Sequence, residues 1–129
     1  MTSIPAEYHD LLIAPNTAVF TTLRRDGGPN SSPVWFWFDD DGIVVSTITD
    51  RSKHRNVERD PRVSLTVVDP QKPLRYLEVR GEVEIEPDPD GAMRDRIAAK
   101  HGYDDGSAFD PPGSSRVNLR LRPTRVIEH

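Results

Sequence analysis

Residues 17–48, TAVFTTLRRDGGPNSSPVWFWFDDDGIVVSTI, decide how this chain folds. Thr17 to Leu23 is rich in β-branched and aromatic side chains, and Asp26-Gly27-Gly28-Pro29 is a strong turn signal. Ser32 to Phe38 resumes strand character, so the two segments are expected to form a hairpin. Asp39-Asp40-Asp41-Gly42 makes a second turn into Ile43 to Ile48, giving a meander of three antiparallel strands.

Trp35 and Trp37 fall on one face of the second strand, and Val34, Phe36 and Phe38 fall on the other. Both faces are therefore apolar, and the strand needs a second cover. A subunit partner, a planar ligand or both would supply it, since aromatic rings suit stacking and interfaces alike; a strand buried between core and helix is the alternative. Pro33 has no N–H to give the ladder and leaves a break where a ligand could meet the backbone.

The rest of the chain extends the same pattern. Val63, Leu65 and Val67 begin a fourth strand; Leu77, Val79, Val83 and Ile85 alternate with charged residues along a long fifth, in which Gly81 marks a bulge or a close approach. Val117, Leu119 and Leu121 form a sixth, which Val126 and Ile127 extend beyond Pro123. Helices are expected at Ile4 to Ala14, capped by Thr2 or Ser3, and at Pro89 to His101, stopped by Gly102. Gly102 to Ser114 is a long loop carrying Tyr103, Phe109 and three aspartates, Asp104, Asp105 and Asp110. Loops of this length are functional or mobile, and a lid is one such role; its aspartates read most simply as solvated charge. Six strands with short connections and small helices predict one domain over residues 1–129, mainly β, closed as an antiparallel six-stranded barrel.

Between the third and fourth strands lies Ser46-Thr47-Ile48-Thr49-Asp50-Arg51-Ser52-Lys53-His54-Arg55-Asn56-Val57-Glu58-Arg59-Asp60-Pro61-Arg62. It reads as a strand end feeding a short helix, capped by Asp50 or Ser52 and stopped at Asp60-Pro61. Arg51, Lys53 and Arg55 crowd the helix start, where the macrodipole disfavours cations unless an anion sits there. Ser46 and Thr47 offer hydroxyl donors to the same anion. A solvated helix laced by ion pairs among Arg55, Glu58, Arg59 and Asp60 is the competing reading.

Composition limits the ligand. The chain has 129 residues, a formal net charge of -4 and no cysteine. A general nucleic-acid binder needs a broad basic surface, whereas here positive charge is local, so a small anion is expected rather than a polyanion. Thiolate metal sites and cysteine nucleophiles are excluded, and His9, His54, His101 and His129 show no metal-binding spacing. No apolar run approaches the length of a membrane span and no leader opens the chain, so a cytoplasmic location without membrane partners is expected. Neither G-x-G-x-x-G nor a Walker loop is present to account for a phosphate site.

These residues carry a resemblance. Ala18-Val19-Phe20-Thr21-Thr22-Leu23, Gly28-Pro29-Asn30-Ser31-Ser32-Pro33-Val34-Trp35 and, most specifically, Thr49 to Val57 followed by Asp60-Pro61-Arg62 are similar to the split-barrel flavin and deazaflavin oxidoreductases of the pyridoxamine 5'-phosphate oxidase-like superfamily. The likeness spans the chain and is greatest to the branch using coenzyme F420, a deazaflavin. It implies an FMN-binding type of split barrel, assembled as a homodimer with the cofactor at the subunit interface. It implies that Arg51, Lys53 and Arg55, with Ser46 and Thr47, hold the cofactor phosphate, and that Ser52 also binds the cofactor. Ser31, Ser32, Pro33, Val34 and Trp35 would line the ring, and Asn56 would support the pocket. Tyr76, with Glu78 and Arg80 on the fifth strand, would contribute from the other subunit. The implied activity is hydride transfer between F420 and a small unsaturated or conjugated acceptor. An FMN-dependent oxidase or reductase and a non-catalytic F420-binding protein are the alternatives. The extended R-x-x-L-x-K run of the pyridoxamine phosphate oxidases themselves is missing.

Overall fold

The computed structural model describes residues 2–129. Its strands are β1 (Ala18–Leu23), β2 (Pro29–Val34), β3 (Trp37–Asp39), β4 (Gly42–Ile48), β5 (Arg62–Val68), β6 (Tyr76–Pro87) and β7 (Arg116–Glu128). All belong to one antiparallel sheet in the order β2-β1-β5-β6-β7-β4-β3. The strand count is seven, not the expected six, because Ser32 to Phe38 is not one strand. Its first part pairs with β1 and its last part with β4. Trp35 and Phe36 alone join strands at opposite ends of the sheet order, a step that spans at most about 10 Å. The sheet must therefore curl until its edges nearly meet, as in a split barrel.

The inward face of that curl is the core. Phe20, Leu65, Leu77, Val79, Leu119, Leu121 and Ile43 are fully buried, and Phe36 joins them from the link between β2 and β3. Each such side chain contributes about 1.5–3 kcal/mol relative to exposure. The first helix is shorter than expected: a 3-10 turn at Ala6–Tyr8 leads into α1 (His9–Ile13), whose Leu11 and Leu12 close one end of the core. Thr2 caps neither; its hydroxyl donates to the Thr124 carbonyl on β7.

The alternation across Val34 to Phe38 survives the break. Phe36 and Phe38 face the main core, whereas Trp35 and Trp37 pack with Val44, Met93 and Ile97 on the outer side. That outer cover is α3 (Ala92–Lys100), so within the chain a helix covers the second apolar face. Helix α2 (Ser52–Arg59) ends at Asp60 as expected. Its N-cap residue is Arg51, with no side-chain capping bond, because Asp50 adopts a left-handed φ of 71° and turns the chain out of β4. The Asp50 backbone N–H donates to His54 Nδ1, and Val57 enters the core.

Strands β6 and β7 form the longest ladder, with a register shift between Arg80 and Gly81. Gly81 lies opposite Pro123, so the residue lacking an N–H sits where the ladder is already interrupted, and β7 runs unbroken through it. A Cβ on Gly81 would lie 2.0 Å from the Arg122 carbonyl oxygen, far inside van der Waals contact. Gly81→Ala must therefore shift backbone, and a loss of about 2–4 kcal/mol is expected in urea unfolding. An unchanged midpoint would show that the ladder accommodates a side chain there.

Candidate functional site

A cleft of about 390 Å³ opens on the outer face of the sheet, where β4 hands over to α2. Its floor is Ser46, Thr47 and Ile48; Pro33, Val34 and Trp35 form one wall, and Arg94, Ile97 and Ala98 of α3 form another. Phe109, from the segment between α3 and β7, covers part of the mouth. Trp35 is fixed by aromatic packing: its ring lies parallel to the His101 imidazole with centroids 4.0 Å apart, and Tyr103 and Phe109 meet it at 5.6 and 6.2 Å. The stack leaves His101 Nε2 buried without a hydrogen-bond partner. Burial and then neighbouring Lys100 push the His101 pKa down, disfavouring the charged ring against the indole.

Four cations line the cleft: Arg51, Lys53, Arg94 and Arg116. Arg116 donates to Ser46 Oγ at 3.2 Å and from Nε to Asp110 Oδ1 at 2.9 Å. Arg94 donates to Asp110 Oδ2 at 2.6 Å and to Asp95 at 3.1 Å. Among the described residues, no carboxylate lies within ion-pair distance of Arg51 or Lys53. Burial first, then Arg51 and Arg116, holds the Lys53 ammonium below its ordinary pKa. An anion in the cleft would relieve that repulsion and meet the first turn of α2, whose N-terminus lacks a side-chain cap.

The structure brings together Pro33, Val34, Trp35, Ser46, Thr47, Arg51 and Lys53 of the residues expected to bind a cofactor. Ser52, Arg55 and Asn56 lie elsewhere, lining a second cleft with Arg24, Arg25, Asn30 and Arg59. The helical period explains the split: residues 52, 55, 56 and 59 share a face that Lys53 does not. Buried Asn56 donates to Thr22 Oγ1 at 2.9 Å and accepts from Arg59, tying α2 to β1. Ser31 shares a hydrogen bond with Thr21 on the exposed hairpin face, and Ser32 pairs in register with Phe20. Tyr76 begins β6 with its ring parallel to His129, 5.2 Å away, and does not line the cleft of its own chain. Arg94 and Arg116 carry no site expectation from the sequence, and Phe109 carries one only through the lid role open to its loop. Arg116 had a signal, since it continues the outward set Asn118, Arg120 and Arg122; Arg94 had none. Asp110 is no solvated loop charge: its side chain is 13% exposed between two arginines.

Residues 4–129 match the sequence profile of the pyridoxamine 5'-phosphate oxidase family. The chain belongs to that family. Its members bind FMN or related flavins. Among solved structures, the chain is similar to an F420 reductase, with 36% identity over 96% of this chain and 98% of that one, and a TM-score of 0.85. It also resembles a conserved hypothetical protein from Mycobacterium tuberculosis, with 24% identity, 99% and 85% coverage and a TM-score of 0.81. The heme storage protein HutZ from Vibrio cholerae shares the fold at 17% identity, 98% and 95% coverage and a TM-score of 0.67. No helix among the described residues is long and apolar enough to cross a membrane.

A flavin-like cofactor suits the donors present. It needs an anion site beside an aromatic-lined wall, and Arg51 and Lys53 stand beside Trp35 with their charge unmatched. The wall itself depends on Lys100, whose ammonium donates to the carbonyls of Leu12 at 2.7 Å and Phe36 at 3.1 Å and lies 4.2 Å from the Phe36 ring centroid. Burial without a carboxylate partner pushes its pKa down to about 8. The unfolded chain keeps this proton up to about 10.5, so it binds more protons than the folded chain between those values. Raising the pH through that window therefore favours the folded state. Urea midpoints should move in favour of the wild type relative to Lys100→Met between pH 8 and 10; parallel pH profiles would show that Lys100 is not desolvated.

Proposed function

We propose that this protein is an oxidoreductase that binds the deazaflavin coenzyme F420 and transfers a hydride between it and a small unsaturated or conjugated acceptor. The observation that carries this reading is the pair of unmatched cations, Arg51 and Lys53, at the mouth of α2 beside the Trp35 wall. The 36% identity to an F420 reductase over nearly the full length of both chains supports the choice of cofactor. When bound, the deazaflavin supplies the hydride chemistry, and the protein supplies binding, orientation and electrostatics. Arg51 and Lys53 pair with the phosphate, and the Thr47 hydroxyl and the α2 amides extend that site. Trp35, Ile97 and Ala98 exclude water from the apolar side of the cleft.

A second copy completes the site in this reading. Val19 and Val68 are each 45% exposed on the outer face of β1 and β5, and Val19 sits in register with Pro33 at the rim of the cleft. This strip is the surface on which a homodimer would close, with the cofactor at the seam. Sedimentation equilibrium should give a dimer, and Val19→Asp with Val68→Asp should give monomers; a wild-type monomer at micromolar concentration would remove this part of the proposal.

Fluorescence titration with F420 and with FMN tests the cofactor. Tighter binding of F420, with turnover on conjugated acceptors, is expected. Preference for FMN would move the protein to the FMN-dependent branch, tight binding without turnover would make it a carrier, and failure of both cofactors at micromolar concentrations would sink the proposal. Lys53→Ala should weaken F420 binding about 30-fold, as expected for truncating one partner of a half-buried charge pair. Arg59→Ala should leave binding within about threefold, because Arg59 donates instead to the Leu23 carbonyl and Asn56 Oδ1. Equal losses would place the anion elsewhere.

A further inference from the structure

Asp110 reaches into the cleft's cation cluster from the segment that follows α3, whose 3-10 turn packs buried Gly106 against Arg94 and Asp95. Residues 102–115 leave α3, form a 3-10 turn at Gly106–Phe109 and rejoin the sheet at β7. Tyr103 and Phe109 rest against Trp35 yet remain 47% and 50% exposed. Most polar bonds inside the segment are local, such as Ser107 N–H to Asp105 and Asp110 N–H to the Ser107 carbonyl. Among the described residues, its backbone hydrogen-bonds to the body near its ends, by Gly102 N–H and Tyr103 N–H to the Ala99 and Ala98 carbonyls and by Thr49 N–H to the Ser115 carbonyl. Between them, Asp110 uses both carboxylate oxygens: Oδ1 accepts from Nε and Nη2 of Arg116, and Oδ2 accepts from Nη1 of Arg94.

We infer that Asp110 is an internal counter-ion standing in for part of the ligand's negative charge, so that seating of the 102–115 segment and binding of an anion in the cleft oppose each other. This rests on the anion-site reading given above and deepens it. Arg94 and Arg116 line the same cleft as Arg51 and Lys53, and Arg116 is close enough to depress the Lys53 ammonium. A guanidinium fork donates to a carboxylate or to a phosphate in the same bidentate way, so the chemistry that holds Asp110 is the chemistry that would hold the ligand. Asp110 therefore lowers the positive charge that the cleft offers a ligand, and neutralising it raises that charge by one. With Asp110 paired, two of the cleft's four cations are engaged and the aromatic segment stays down on Trp35. A ligand anion that recruits Arg116 or Arg94 weakens the hold on Asp110 and loosens the segment; a mutation that neutralises Asp110 frees Arg116 for the ligand and leaves Arg94 with Asp95 alone.

Inorganic phosphate is the probe, titrated calorimetrically at low ionic strength into the wild type, Asp110→Asn and Asp104→Asn. Asp104 is exposed on the same segment, so its variant controls for net charge alone. Asp110→Asn should bind phosphate about fivefold tighter than the wild type, with the gain shrinking as salt rises, and Asp104→Asn should stay within about twofold. In the unmutated protein, saturating phosphate should speed chymotrypsin cleavage after Tyr103 and Phe109, a readout that needs no variant to fold. Equal or weaker binding by Asp110→Asn, or protection of the segment by phosphate, would overturn the inference. Phosphate binding that follows the expected pattern while F420 and FMN both fail would support it and remove the cofactor reading instead; phosphate that binds none of the proteins removes the anion site and this inference together.

Discussion

Strands β6 and β7 have to bend together at one point, and the contact between Gly81 and the Arg122 carbonyl is where they do so. Strand β6 occupies the middle of the sheet order, with β2, β1 and β5 on one side and β7, β4 and β3 on the other. A flat ladder of this length would hold the two outer edges far apart, and no two-residue link could join them. The bulge adds twist at the pivot, and the missing Cβ lets the β7 backbone come close enough to keep pairing on both sides of it. Pro123 takes the one position in β7 where the absent N–H breaks nothing further.

Curling the sheet creates the site as a by-product of closing the core. Once the edges draw close, Trp35 lies at the gap between them, and the end of β4 and the start of α2 lie beside it. The cleft then collects residues from five places in the chain, and its charge is set by which cations find carboxylates. Arg94 and Arg116 do; Arg51 and Lys53 do not. The four arginines of the neighbouring cleft, Arg24, Arg25, Arg55 and Arg59, are partly absorbed by structure, through Asp26, the Leu23 carbonyl and Asn56.

Much of this was legible in the amino-acid sequence, and the parts that were not share a cause. Alternation located the faces of the long fifth and sixth strands, and Gly81 announced the bulge, because both are local signals. The division of Ser32 to Phe38 had no local signal: in-and-out alternation continues through Trp35 and Phe36, and only the choice of ladder partner changes. Residues Arg51, Lys53 and Arg55 were legible as a cluster but not as two clusters, although the 3.6-residue period of α2 already separates Lys53 from Arg55. Arg94, Asp110 and Arg116 could not be placed because their meeting depends on how α3 and the following segment pack on the sheet. Composition reads Asp110 as solvent-facing; geometry makes it an ion-pair partner twice over.

The position of α3 has its own physical cause. Leaving the ladder at Trp35 and Phe36 strands the Phe36 carbonyl, and ending α1 after one turn strands the Leu12 carbonyl; both lie close to apolar core, where an unpaired acceptor is costly. One group answers both, the Lys100 ammonium, which also rests on the Phe36 ring. The lysine gives up hydration to do it, which is why its proton is held loosely. With Lys100 fixed on those carbonyls, Ile97 is set against Val44 and Arg94, one turn earlier, turns toward Asp110. The break in the strand thus reaches the cation cluster through a single helix: the irregularity that admits Trp35 to the cleft also decides where the helix bearing Arg94 must lie.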